Sequence, residues 1–156
     1  MNDFLLSIES STLAQLMKQV GWLFPGAEIF HFIGLCLLIG SLLIVDIRLL
    51  GLADEVSMDA VYKFLPIAVL GFFINLLTGI LFFFNDPFRY YPNIAFRIKL
   101  VLILLAGINA LYFMVTAHRH PDLASKGDSK LKTVAALSLL LWFSVIVCGR
   151  MIPYVE

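Results

Sequence analysis

The residues that could do chemistry sit inside an apolar run. The stretch EIFHFIGLCLLIGSLLIVDIRLLG, residues 28–51, carries Glu28 and His31 near its start and Asp46 and Arg48 near its end. Ionisable groups in hydrocarbon are expensive and mark a site by default. Arg97 and Lys99 open a third apolar run and Arg150 closes a fourth. Folded as membrane spans, these runs bring all three cations to the depth of His31. On the translocon scale each unpaired charge at mid-membrane costs roughly 2.5–3.5 kcal/mol. Pairing Glu28 with one cation leaves about two in excess around a single imidazole. An anionic ligand answers that surplus, and haem b fits it. Neutral imidazole ligates iron, and two propionates favour Arg or Lys. His31 is then the axial ligand, with Glu28, Arg97, Lys99 and Arg150 around the propionates. Gly34 shares the face of His31, so it leaves room for the ring. No second His lies at this level, so Met151 is the candidate sixth ligand. The plain alternative is that Glu28–Arg150 and His31–backbone contacts only stitch helices together, as polar contacts in membranes do.

Other constellations are weaker. AHRHPD, residues 117–122, suggests a metal site, but His118 and His120 are two apart and do not share a helix face. Together with Asp46, Arg48, Lys63 and Lys132 this end reads as interfacial charge, with Asp46 paired to a Lys or Arg. The soft ligands Met17, Cys36, Met114, Cys148 and Met151 are scattered, which argues against a copper site. Cys36 and Cys148 sit in apolar runs and read as small buried hydrophobes. Asn75 and Asn109 both fall near mid-membrane, where a cross-helix hydrogen bond is expected. No phosphate-binding loop, HExxH, GxSxG or CxxC motif is present.

The elements that must position these groups follow from composition. The 156 residues are 61% hydrophobic, with a mean hydropathy of +0.95. Eleven basic residues balance eleven acidic ones, so nothing points to nucleic acid. A span needs roughly 20 apolar residues, and four runs qualify: about 27–50, 62–84, 94–118 and 131–153. Only helices satisfy their own backbone in lipid without closing a barrel. The expected fold is all-α, an integral-membrane four-helix up-down bundle over 25–156. Residues 1–24 lack a basic start and read as one interfacial amphipathic helix, broken at Pro25 and Gly26, rather than a cleavable leader. Pro66 is placed in the first turn of span two. Phe82, Phe83, Phe84, Phe88, Tyr90, Tyr91 and Phe96 form an aromatic belt at the membrane face of His31. Basic residues divide almost evenly: Lys18, Arg89, Arg97, Lys99 and Arg150 at that face, the other six opposite. The dense 118–132 cluster favours the opposite face as cytoplasmic, with both termini outside.

The four spans, read as EIFHFIGLCLLIGSLLIVDIRLLG, LTGILFF, NIAFRIKLVLILLAGINALYF and LWFSVIVCGRMIPY, resemble a family of small bacterial four-span membrane proteins. More distantly the pattern is similar to the copper-resistance protein D family, in its first-span His31, its Thr78–Gly79 pair, Lys99 and Asn109. It also looks like the integral-membrane protoporphyrinogen oxidase of bacteria, in His31, the Arg48–Leu49 pair and Lys99. That resemblance implies haem b held through His31. The oxidase pattern has a Trp soon after its first-span His and further His residues in later spans. Here Leu37 and Leu38 stand in that region and spans two to four hold no interior His, so ligation by His31 is carried over and the oxidase reaction is not.

Three functions follow as expectations. The first is a b-type haem protein of the bacterial inner membrane that transfers electrons, with a quinone or a redox protein as partner; as an enzyme it would be a haem-dependent oxidoreductase. The second is a transport protein like copper-resistance protein D. The third is a cofactor-free accessory subunit, its small-residue stripes serving homo-oligomerisation.

Overall fold

A computed structural model describes residues 2–119 and 128–155. Among them there are helices and no strand. The chain runs α1 (Asn2–Glu9), α2 (Thr12–Gln19), α3 (Leu23–Leu50), α4 (Met58–Asn85), α5 (Pro87–Tyr90), α6 (Ile94–Arg119) and α7 (Ser129–Met151), ending in a 3₁₀ turn, Ile152–Tyr154. Four of these, α3, α4, α6 and α7, are long and apolar enough to cross a membrane.

Polar residues at the junctions set where each helix starts and stops. Ser57 accepts from the Ala60 N–H at the head of α4, Asn93 Oδ1 from the Phe96 N–H at the head of α6, and Asp128 from the Lys130 N–H at the head of α7. Each satisfies a donor the helix cannot. Gly51 ends α3 at φ +79°, the left-handed cap a glycine adopts without strain. Asn93 is buried, and its Nδ2 donates to the Ile152 carbonyl at 3.0 Å and to the Val155 carbonyl. One side chain thus caps α6 and ties down the end of the chain.

Three boundaries differ from the sequence reading. The N-terminal segment is two helices, because Ser10 and Ser11 interrupt it and Ser11 caps α2. Lys18 of α2 reaches back to Glu9 at 2.8 Å, while Leu5, Ala14 and Met17 are buried. Pro25 and Gly26 lie inside the first turn of α3, whose start falls at Leu23. A proline there forfeits no helical bond. Pro66 stands two turns inside α4, where it does cost a backbone hydrogen bond.

In the bundle α3 packs along α4 and along α7, and α7 along α6. One apolar cluster joins Val45, Leu49, Val61, Phe113, Ala117, Leu131 and Ala135. A second, nearer mid-membrane, joins Leu38, Leu42, Ala68, Ala106, Leu141, Trp142 and Val145. Neither reaches the depth of His31. Helices α4 and α6 meet near their ends, where Phe83 stacks on Phe96 and Tyr62 bonds the Ala117 carbonyl at 3.5 Å. Between those ends a cavity of about 150 Å³ remains.

Candidate functional site

The first turns of α3 set His31 against the last turns of α4. Its Nδ1 lies 2.7 Å from Thr78 Oγ1. The Thr78 hydroxyl also lies 2.7 Å from the Ile74 carbonyl, and a hydroxyl that donates there accepts from His31. In that arrangement Nδ1 carries the proton, and in the neutral ring Nε2 keeps its lone pair. Metal-binding imidazoles are oriented in this way, through a second hydrogen bond at the other nitrogen. Phe82 packs on the ring at 5.2 Å between centroids and is backed by Phe24 at 5.5 Å.

Lys99, at the start of α6, lies within Coulombic range of His31. It is half-buried and, among the described residues, has no hydrogen-bond or ion-pair partner. Its side chain runs across Gly149 of α7: a methyl at that glycine would sit 3.3 Å from Lys99 Nζ. Arg97 and Arg150 lie farther out. Arg97 donates from Nε to the Tyr91 carbonyl at 3.1 Å and covers the Tyr91 ring. Arg150 donates to the Tyr154 hydroxyl at 3.2 Å and covers that ring. Glu28 is exposed and acts electrostatically on Tyr90, whose phenol is pushed above its ordinary value of 10.0, first by burial and then by Asp86 and Glu28, against Arg89. Met151 is exposed at the end of α7.

Gly34 does not open the space expected of it. A Cβ there would stand 2.7 Å from Asn75 Nδ2 and 3.0 Å from the Gly71 carbonyl, and one on Gly71 would stand 2.5 Å from the Leu38 nitrogen. Gly34 of α3 and Gly71 of α4 are consumed by the close approach of the two helices, while Gly79 has nothing within 4 Å. Asn75 and Asn109 likewise do not meet: Asn75 donates to the Gly71 carbonyl at 2.9 Å and Asn109 to the Val134 carbonyl at 3.1 Å.

The other end also differs from expectation. Arg48 turns to the following loop, with 2.8 Å to Asp54 and 2.6 Å to the Val56 carbonyl. Asp46 turns the other way and, among the described residues, pairs with no cation. It is 4% exposed, with the Ser138 hydroxyl of α7 in reach of its carboxyl and its Oδ2 without a partner. The sequence reading missed this contact between α3 and α7. A signal existed: Asp46 and Arg48 are two apart, so one helix cannot point both the same way. His120 and the side chain of His118 lie outside the described residues. Among the described residues no three His, Cys, Asp or Glu side chains gather to hold a metal ion. A haem iron asks less of the chain, because the porphyrin supplies four of its ligands.

Fold and composition together define a multi-pass helical membrane protein with four spans and, among the described residues, one imidazole and an unpaired lysine near one end of the bundle. Within that class the chain belongs to DUF6644, a family of unknown function, which it matches over residues 4–155. Comparison with curated proteins and with solved structures gives no match.

Proposed function

We propose that this chain is a b-type haem-binding protein of the bacterial inner membrane that transfers electrons, with a quinone or a redox protein as partner. The observation that carries the reading is the His31–Thr78 hydrogen bond, which holds the ring and, with Nδ1 as the donor, leaves Nε2 as a free base near Lys99, unpaired among the described residues. Lys99 is the residue to hold a propionate. Arg97 and Arg150 are exposed, and each guanidinium keeps donors for a second propionate beyond its tyrosine contact. Because α3 and α4 are closed together at Gly34 and Gly71, a ring would sit outside that seam. Bound haem would supply one-electron chemistry, and catalysis, if the chain has any, would be that of a haem-dependent oxidoreductase. The distant likenesses to copper-resistance protein D and to the membrane-bound protoporphyrinogen oxidase agree with a ligand at His31. The closed seam favours one other reading, a cofactor-free accessory subunit whose glycines serve packing alone.

The visible spectrum of the purified protein separates the two. A Soret band that disappears in His31→Ala supports haem. A colourless, folded protein after expression with added haem precursor supports the accessory subunit and ends the haem proposal.

A further inference from the structure

A second polar site lies deeper, where α3 faces α7. A groove of about 480 Å³ is lined by Leu42, Leu43 and Asp46 of α3 and by Ala136, Trp142 and Phe143 of α7, among others. Leu43 and Phe143 are exposed, so the groove opens sideways to the surroundings of the bundle. Asp46 and Trp142 are 4% and 7% exposed and form its floor. Asp46 Oδ2 and Trp142 Nε1 are both buried without a hydrogen-bond partner. Both residues also line the 150 Å³ cavity behind, together with Asn109 and Ser138.

Two orphan groups on residues that line one groove of an apolar bundle are unusual, since buried polar atoms are almost always satisfied. One is an acceptor and the other a donor. A phenolic hydroxyl completes both, giving its proton to a hydrogen bond with Oδ2 and accepting from the indole N–H. Everything else in the groove is apolar and its mouth faces the region a bilayer would occupy, so the ligand must travel in lipid and bring an apolar body. We infer that this groove binds the head group of a lipid-soluble quinol. The inference deepens the redox reading by naming the partner, but it stands on residues apart from His31, so either can fail alone.

Trp142 is itself the probe. With Trp22→Phe it becomes the sole tryptophan. The full chain in phosphatidylcholine nanodiscs is titrated with decylubiquinone and decylubiquinol while indole emission is followed. With the quinol the expected result is saturable quenching that decanol does not reverse, and that weakens about tenfold or more in Asp46→Leu, the loss of one hydrogen bond to a buried group; the quinone, with no phenolic proton to give, binds the parent protein more weakly. Ala136→Phe, which fills the groove without touching the polar floor, weakens it equally and serves if Asp46→Leu does not fold. The protein is kept free of haemin, whose absorption would itself quench indole emission, so this result stands apart from that at His31. Quenching that rises linearly with probe, or is as strong in both groove variants as in the Trp22→Phe parent, overturns the proposal and leaves water as the occupant of the inner cavity.

Discussion

At the scale of single residues, rarity marks some positions out. His31 and Lys99 stand out because charge is scarce in these runs, and the structure sets them within electrostatic reach of each other. The partner of His31 was hidden. Asn75 and Thr78 lie three apart on one face of α4, and only the rotation of that helix decides that Thr78 meets the imidazole while Asn75 turns to its own backbone. Helical period does not specify rotation against a neighbour. Asp46 was misread for a related reason: the basic residues at that end suggested a Lys or Arg partner, yet Arg48 serves the 54–56 loop and no other described cation pairs with Asp46. A carboxyl kept buried with a bare oxygen is a stability cost with a use elsewhere. Asp46→Leu, which keeps the branching of the side chain and extends into the adjoining cavity, is therefore expected to stabilise the fold by about 1–3 kcal/mol, the penalty of an unsatisfied buried group. Denaturant melts in detergent measure this. A loss of stability of that size would mean that the Ser138 contact already satisfies the carboxyl.

At the scale of elements, apolar length located all four long helices, since a run of that length has few alternatives. Their ends were less legible. Ser10 and Ser11 split the N-terminal segment because a hydroxyl can cap a new helix as readily as sit in an old one. Pro66 is carried inside α4 although proline ordinarily breaks a helix. The small-residue stripes were visible in the sequence, but stripes that admit a cofactor and stripes that admit another helix look alike there. Here Gly34 and Gly71 bring backbone against backbone. Gly71→Ala is expected to destabilise by about 1–3 kcal/mol or more, because the atoms it meets belong to the α3 backbone and cannot swing aside. Gly40 faces open space, so Gly40→Ala should be neutral or slightly stabilising. Equal melting temperatures for the two variants would show that the α3–α4 seam is not closely packed.

At the scale of the whole molecule, antiparallel connection puts the starts of α3 and α6 and the ends of α4 and α7 at one face. That is why His31, Thr78, Lys99 and Gly149 converge although up to 118 positions separate them. The proposed orientation sets this face and both termini outside the cytoplasm. Alkaline phosphatase fused to the C-terminus should then be active in cells, and a fluorescent C-terminal fusion of a protein that folds only in cytoplasm should be dark; the opposite pair reverses the orientation. The central claim is that the His31 imidazole itself holds iron, and the most direct measurement is rescue. His31→Gly protein, purified with haemin and then given free imidazole, should lack a Soret band and regain it as imidazole fills the vacated position. A Soret band of full strength in His31→Gly before imidazole is added, or no band in either protein under any condition, would contradict the account.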